Sequence, residues 1–207
     1  MKPPVREWGL RDRGNVILIV GPPGTGKTVL AYDIADDLRR KRDVYCPMSE
    51  RFGRPNYYRQ YTGEWGHDRI VMLNDASLSM HARRYMSAGN VIRDMQTAVR
   101  RHNNLDVIYD VQNSGTLDVN ALRAADCLIV KGPPSPLQIP TERPAVREKY
   151  EEAGESMGVW TKRNAYCWTH ERGFRITGIA APAYWNEDIS EDDVGKRAPP
   201  WTRLRLP

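Results

Sequence analysis

The chain has 207 residues, of which 40% are hydrophobic and 28% are charged. That length favours one compact unit, and that composition excludes a disordered chain, a collagen and a small disulfide-bonded scaffold. The net charge of +5 permits contact with a polyanion without establishing it. The three cysteines lack a paired spacing, so we expect neither a zinc site nor a disulfide frame. No apolar run is long enough to cross a bilayer and the N-terminus lacks an apolar signal region, so we expect a soluble cytoplasmic protein.

The N-terminal quarter predicts a strand and a helix joined by a glycine-rich loop. Residues 1–14 are rich in proline, glycine and basic side chains, which predicts an extended arm. Asn15 to Val20, NVILIV, is apolar and β-branched and predicts a parallel strand buried on both faces. From Gly26 to about Arg40, apolar residues recur at helical spacing and basic residues follow, which predicts a helix.

Strands continue to alternate with helices along the rest of the chain. Strands are predicted at 43–46, 69–74, 105–111 and 127–131, helices at 79–101, 117–125 and 144–155, and a β-hairpin at 164–169 and 174–179. This alternation predicts an α/β fold of three layers with a mostly parallel central sheet and a C-terminal β-hairpin. We divide the chain into an arm (1–14), a core (15–131), an extension of that core by a helix and the hairpin (132–190), and a charged, proline-rich tail (191–207).

The loop after the first strand has the sequence GPPGTGKT at residues 21–28, which matches the phosphate-loop pattern Gly-x-x-x-x-Gly-Lys-Ser/Thr. Glycines let backbone N–H groups turn towards a phosphate, and the start of the helix favours an anion. Lys27 supplies a positive charge to the β and γ phosphates, and the Thr28 hydroxyl ligates Mg²⁺. We therefore predict that ATP and Mg²⁺ bind here, with contacts from Gly21, Pro22, Pro23, Gly24, Thr25, Gly26, Lys27, Thr28 and Val29.

Phosphoryl hydrolysis also needs a carboxylate at the end of a neighbouring strand, either as a ligand on the Mg²⁺ side that holds the ion's water shell or to orient the attacking water. The sequence offers Asp75, which follows the apolar run of the 69–74 strand, and Asp110, near the end of the 105–111 strand. We favour Asp75, because ligands gather at strand ends in parallel sheets, whereas Asp110 would lie inside its strand. Asp75 could instead cap a helix that begins at Ser77 or Ser79.

Gln112 directly follows the 105–111 strand and precedes a polar turn. Its amide could hydrogen-bond the γ-phosphate or the attacking water without adding charge. The alternative is that Gln112 only satisfies the backbone of the turn.

With these residues located, the chain resembles the FtsK/HerA branch of the additional-strand P-loop ATPases, and within it the genome-packaging ATPases of tailless, internal-membrane viruses. The resemblance spans about residues 15 to 131. It depends on the phosphate loop, on the apolar strand that ends in Asn74 and Asp75, and on RRHNNLDVIYDVQN from Arg100 to Asn113. It implies an additional-strand P-loop NTPase fold and ATP hydrolysis coupled to translocation of double-stranded DNA. It further implies a homo-oligomeric, hexameric ring, capsid proteins as partners, and a location in the host cytoplasm or the virion.

The resemblance also assigns roles to individual residues. Arg101 becomes the arginine finger that reaches the γ-phosphate of a neighbouring subunit, and Gln112 becomes the sensor. The family has adjacent Asp and Glu where this chain has Asn74 and Asp75, so Asn74 becomes a neutral ligand on the magnesium side and Asp75 the carboxylate that activates water. This departure implies slow hydrolysis or help from another carboxylate such as Glu50. Without the resemblance, Arg101 would be interpreted as a solvated charge at a helix end.

The segment from Ser49 to Arg69 interleaves arginines with aromatic residues, which are Arg51, Arg54 and Arg59 with Tyr57, Tyr58, Tyr61 and Trp65. Such a loop could line a DNA channel, because arginines neutralise phosphates and aromatic rings stack on bases. Alternatively, it is a surface loop whose aromatic side chains pack against the sheet.

Three other functions remain open at this stage. The first is an AAA-like ATPase that loads or remodels protein complexes. The second is a P-loop kinase for a small acceptor, in which Arg143 and Arg147 of the proline-broken segment 132–147 would belong to a lid. The third is a nucleotide-gated binding module without catalysis, which the neutral Asn74 would suit.

Overall fold

The computed structural model describes residues 4–46, 48, 51–61, 66–73, 100–117 and 119–189. Within these residues the chain forms an eight-stranded sheet in the order β3-β2-β4-β5-β1-β6-β7-β8. The strands are β1 (Val16–Val20), β2 (Val44–Cys46), β3 (Tyr58–Gln60), β4 (Ile70–Leu73), β5 (Asp106–Val111), β6 (Cys127–Val130), β7 (Asn164–Thr169) and β8 (Gly173–Thr177). Strands β1 to β6 pair in parallel, and β7 and β8 complete the sheet in antiparallel pairing.

Strand β1 lies at the centre of the sheet, and all five of its residues are buried. It pairs with β5 on one side, from Val16 opposite Val107 to Val20 opposite Val111, and with β6 on the other. A strand covered on both faces needs an unbroken apolar run, which explains why its sequence does not alternate. Strand β5 lies between β1 and β4 and is the additional strand that the fold prediction requires.

Three described α-helices cover the two faces of the sheet: α1 (Lys27–Arg39), α2 (Val119–Arg123) and α3 (Pro144–Met157). Leu30 and Ile34 of α1 pack in one apolar cluster with Ile17 and Ile19 of β1. Residues of α2 and α3 pack in a second cluster with the side chains of β1 that point the other way. The molecule therefore has the three layers expected, with helices on both faces of a mostly parallel sheet.

Buried charges join the amino-terminal ends of the strands. Asp106, which begins β5, accepts hydrogen bonds from the backbone N–H and the side chain of Asn15, both at 2.8 Å. It also pairs with Arg42 at 2.6 Å, and both side chains are almost fully buried. Asp126, just before β6, accepts a bond from the Val16 N–H at 2.9 Å. The amino edge of the sheet is thus held by charged side chains as well as by backbone pairing.

Several local predictions differ from the structure. The expected extended arm contains a 3-10 helix, Val5–Glu7, and its Trp8 is fully buried in the core. The short strand β3 was not expected, and Arg100 and Arg101 lie in a turn instead of ending a helix. The rest of the predicted 79–101 helix and the tail 191–207 lie outside the described residues. In the described part of the chain, no helix combines the length and apolar character needed to span a membrane.

Candidate phosphate-binding site

The loop 21–26 connects β1 to α1 at the carboxyl edge of the sheet, and two of its glycines are required by geometry. A Cβ atom on Gly21 would lie 2.2 Å from the Lys131 carbonyl oxygen, so the loop can approach the end of β6 only without a side chain there. Gly26 has φ of 86° at the N-cap of α1, a left-handed conformation that favours glycine. The sequence pattern and the local backbone therefore agree on a loop built to expose N–H groups at a helix start.

Lys27 is the first residue of α1, and its side chain folds back across the loop. Lys27 is only 7% exposed, and its Nζ atom donates a hydrogen bond to the Pro22 carbonyl oxygen at 3.1 Å. A buried ammonium at a helix N-terminus concentrates positive charge where an anion would enter.

Thr28 contacts a carboxylate on the adjacent strand. Its Oγ1 donates a hydrogen bond to Oδ2 of Asp110 at 3.0 Å, and Asp110 is 3% exposed. Asp110 lies inside β5, opposite Ile19 of β1, as the sequence indicated. From sequence we disfavoured Asp110 because of this position inside the strand. The position nevertheless brings Asp110 to the loop, because β5 is the immediate neighbour of the strand that leads into the loop.

The Thr28 hydroxyl and the Asp110 carboxylate fit a magnesium ion that is also bound by phosphate oxygens and water. Hard divalent cations take oxygen ligands, and Mg²⁺ typically uses only one or two protein groups beside a nucleotide. The described residues contain no group of three or more His, Cys, Asp or Glu side chains arranged to hold a metal alone. Asn74 and Asp75, the other predicted metal ligands, lie outside the described residues.

Gln112 directly follows β5 at the same edge of the sheet. The Gly21 N–H donates to the carbonyl oxygen of Val111, the residue before Gln112, at 3.2 Å. The half-buried Gln112 is therefore adjacent in sequence to a residue bonded to the loop, and its role as a sensor stays a prediction.

Arg101 lies at the opposite edge of the sheet. It precedes β5, a strand of six residues that spans about 20 Å, so it cannot reach the phosphate loop of its own subunit. Its side chain is 53% exposed and its Nη2 lies 3.4 Å from Oδ1 of Asp126. The neighbouring Arg100 is buried and bonds both Asp126 and the Ala124 carbonyl oxygen. Arg100 is thus a structural residue, and Arg101 is presented to solvent.

Lys131 follows β6 beside the phosphate loop and was not singled out from sequence. It is fully buried, and its Nζ donates to the carbonyl oxygens of Lys162 at 2.7 Å and Asn164 at 3.0 Å. Burial, and secondly the charge of Lys27, lower the pKa of Lys131 to about 8 from its usual 10.5. The sequence feature that could have identified Lys131 is its position at the end of the apolar run CLIVK, directly before Gly132.

The aromatic residues of the 49–69 segment pack inward where the structure describes them. Tyr57 and Tyr58 each donate a hydrogen bond to Asp36 of α1 at 2.9 Å. Arg54 is 2% exposed and bonds the Tyr32 hydroxyl at 2.8 Å. For these residues the packing interpretation is correct and the DNA-channel interpretation is wrong. Arg51 and Arg59 are exposed, and Trp65 lies outside the described residues.

Arg143 and Arg147, the candidates for a kinase lid, bond to the surrounding backbone. Arg143 donates to the carbonyl oxygens of Ser114 at 3.1 Å and Leu117 at 2.6 Å. Arg147 donates to the Glu142 carbonyl oxygen at 3.4 Å. These contacts are structural ones to nearby backbone and do not support the lid interpretation.

Comparisons with known proteins give a consistent result. The sequence profile of the ATPase family associated with various cellular activities (AAA) matches residues 17–53, which include most of β1, the loop, α1 and β2. No curated protein sequence matches the chain. The genome-packaging NTPase B204 of Sulfolobus turreted icosahedral virus 2, solved with ATP-gammaS, superposes with a TM-score of 0.60 at 12% identity, over 83% of this chain and 100% of that one.

Two further structures have a similar fold. B204 of Sulfolobus turreted icosahedral virus, a DNA-packaging ATPase, gives a TM-score of 0.59 at 13% identity, over 82% of this chain and 100% of that one. The N-terminal domain of zonular occludens toxin from Neisseria meningitidis gives 0.54 at 17% identity, over 83% and 96%. The chain therefore has an α/β P-loop NTPase fold and resembles the viral genome-packaging ATPases.

Proposed function

We propose that this chain is a subunit of a ring-forming ATPase that hydrolyses Mg-ATP to move double-stranded DNA, in the packaging of a viral genome. The observation that supports it most directly is the hydrogen bond from Thr28 to Asp110 beside the glycine loop. It joins the loop to a carboxylate on the additional strand, so that one edge of the sheet holds phosphate and metal ligands together. The similarity in fold to packaging ATPases supports DNA as the substrate.

In this proposal the loop binds the triphosphate. Backbone N–H groups of residues 21–26 contact the β-phosphate, and Lys27 exchanges its bond to the Pro22 carbonyl for phosphate oxygens. Thr28 and Asp110, with Asn74 as a neutral ligand, hold Mg²⁺. When bound, the ion neutralises the charge that develops on the β and γ phosphates.

Hydrolysis needs a water molecule in line with the bond that breaks. Asp75 accepts a proton as the water oxygen attacks the γ-phosphorus, and Gln112 orients the water or the γ-phosphate through its amide. The bond between the γ-phosphorus and the bridging oxygen breaks, which releases ADP and phosphate. Arg101 of one subunit reaches the nucleotide of the next, which makes the ring necessary for full activity.

DNA translocation is the finer part of the proposal. Exposed basic side chains such as Arg51 and Arg59 are candidates for phosphate contacts, and binding through them would weaken steeply with salt. Capsid proteins are the proposed partners of the ring, in the host cytoplasm or in the virion.

Two measurements on the full chain test this function. The first is the rate of ATP hydrolysis with Mg²⁺, with and without double-stranded DNA, and the second is the particle size in solution. We expect hydrolysis stimulated by DNA and particles of hexamer size. Lys27→Ala abolishes hydrolysis, whereas Lys41→Ala, at an exposed lysine, leaves it unchanged. A hydrolysis rate that DNA does not change would contradict translocation and favour an AAA-like remodeller. Phosphate transfer to a nucleoside would establish a kinase.

A further inference from the structure

A cavity of about 200 Å³ opens next to the phosphate loop, on the side of β6. Gly24 and Thr25 of the loop line it, with Gly132 and Pro133 after β6 and the segment Trp160–Lys162 before β7. The lining of this cavity therefore combines residues of the phosphate loop with an aromatic residue, Trp160.

The strand order indicates which part of a nucleotide would enter this cavity. Strand β1 and its loop lie between β5, which carries Asp110, and β6, which ends beside the cavity. Mg²⁺ binds the β and γ phosphates, so the Thr28 and Asp110 side of the loop faces that end of the triphosphate. The nucleoside is at the other end of the chain of phosphates, so it leaves the loop on the β6 side.

Trp160 is held at the cavity from both sides of its backbone. Asn164 donates from Nδ2 to the Val159 carbonyl oxygen at 2.9 Å and accepts from the Thr161 N–H at 2.8 Å through Oδ1. Lys131 fixes the following residues through the carbonyl oxygens of Lys162 and Asn164. The turn that carries the indole is therefore positioned before any ligand arrives, which lowers the entropic cost of binding.

The Trp160 ring also differs from three other tryptophans in its contacts. Trp8, Trp168 and Trp185 each contact another aromatic ring, in edge-to-face or tilted geometry. Trp160 is half-buried, packs at the margin of an apolar cluster, and has no aromatic ring partner in the described parts of the chain.

We propose that this cavity binds the nucleobase of the nucleoside triphosphate and that Trp160 stacks on it. The inference rests on the proposed function, since it places the base of the nucleotide whose phosphates the loop binds. Stacking recognises the ring face and not the hydrogen-bonding edge, so the site selects for purines by their larger area.

A second cavity, of about 220 Å³, shares Pro133 but contains no residue of the phosphate loop. Its lining includes Arg147 and Tyr150, and the Arg147 Nε atom and the Tyr150 hydroxyl are buried without a hydrogen-bond partner in the described parts of the chain. Those groups could also contact a polar ligand. Tyr150→Phe removes only the hydroxyl, so it is the matched control for the proposed location.

The test compares two ligands of the full chain by calorimetry: a non-hydrolysable ATP analogue with Mg²⁺, and inorganic tripolyphosphate with Mg²⁺, which has no base. We expect Trp160→Leu to weaken the ATP analogue about tenfold and to leave tripolyphosphate unchanged. Trp160→Phe, which retains a ring, should stay within about threefold of the wild type, and Tyr150→Phe should bind both ligands as the wild type does.

A photo-crosslinking experiment on the wild type keeps the inference testable if the Trp160 variants do not fold. An 8-azido-ATP label, located by fragment-ion mass spectrometry, should attach within residues 159–162, and a label on Tyr150 would overturn the assignment. Equal losses for both ligands in Trp160→Leu, or no loss for either, would also overturn it. Lys27→Ala distinguishes a failure of this inference from a failure of the proposed function. If it weakens the binding of neither ligand, the proposed function itself fails.

Discussion

The hydroxyl of Thr28 in the phosphate loop donates a 3.0 Å hydrogen bond to the carboxylate of Asp110, a buried residue of the strand next to β1. Asp75 follows β4, which is separated from β1 by β5. Asp110 is thus on the strand closer to the loop, and we predict that it supplies the charge that the neutral side chain of Asn74 lacks. Two acidic residues on different strands can divide the roles that the family assigns to an adjacent pair.

The first prediction separates these roles. Asp110→Asn keeps an oxygen that can accept the Thr28 hydrogen bond but removes the charge. We expect it to reduce the Mg²⁺ dependence of ATP binding, measured as the ratio of dissociation constants with Mg²⁺ and with a chelator, and to slow hydrolysis about 100-fold.

Asp75→Asn is the matched control for that experiment. If Asp75 activates water, the variant loses hydrolysis while its Mg²⁺-dependent binding stays near that of the wild type. The opposite result, in which Asp75→Asn loses the Mg²⁺ effect and Asp110→Asn retains it, would assign the magnesium role to Asp75 and leave the Thr28 contact structural.

The second prediction concerns Arg101, which is too far from the phosphate loop of its own subunit to act there. Lys27→Ala and Arg101→Ala should each be inactive alone, because one lacks the phosphate contact and the other the finger. Mixed oligomers contain interfaces in which an intact loop faces an intact Arg101, so mixing should restore part of the hydrolysis. Arg123→Ala, at an exposed arginine of α2, should remain active. Confirmed mixed oligomers without any recovered activity would refute the assignment.

The sequence predicted the centre of the fold because its signals are local. Continuous apolar runs indicated β1, β4, β5 and β6, and the GPPGTGKT pattern indicated the loop between β1 and α1. The strand β3, with the sequence YRQ, was missed because a three-residue edge strand with polar side chains has no hydrophobic pattern. The same local signals left two interpretations open for Tyr57 and Tyr58, because their inward packing depends on a contact with Asp36 of α1.

The remaining site residues depend on strand order, which the sequence does not state. Asp110 reaches Thr28 only because β5 pairs with β1. Lys131 reaches Asn164 because β7 returns antiparallel to β6, a pairing between segments more than thirty residues apart. The roles of Asn74 and Asp75 stay predictions.

The third prediction concerns stability at the amino edge of the sheet. Burial alone would raise the pKa of Asp126, but the Val16 N–H and Arg100 outweigh it and hold the pKa below its usual value. Asp126→Asn leaves the buried Arg100 without its counter-ion, and we expect the free energy of unfolding to fall by about 3 kcal/mol. Denaturant unfolding at neutral pH measures this change.

The pH dependence of the same contact has a definite sign. Because the folded pKa of Asp126 is lowered, its contribution is complete above the unfolded value of 3.8 and is lost as the pH falls below it. Asp43→Asn, which breaks an exposed pair with Arg59, is the control for Asp126→Asn. It should lower the free energy of unfolding by less than about 1 kcal/mol. Equal effects of the two substitutions would show that Arg100 finds another partner.

The fourth prediction uses the lowered pKa of Lys131, which is about 8 in the folded chain against 10.5 ordinarily. Below pH 8 the lysine is protonated in both states. Between pH 8 and 10.5 the folded state has released its proton while the unfolded state retains it, so stability rises with pH. We expect the wild type to gain stability relative to Lys131→Met from pH 7 to 9.5, measured by denaturant unfolding at each pH. The difference between these two proteins isolates Lys131 from Cys127, whose pKa is raised by burial. Lys41→Met, at an exposed lysine, should follow the wild type, and a constant difference between wild type and Lys131→Met would mean that Lys131 titrates normally.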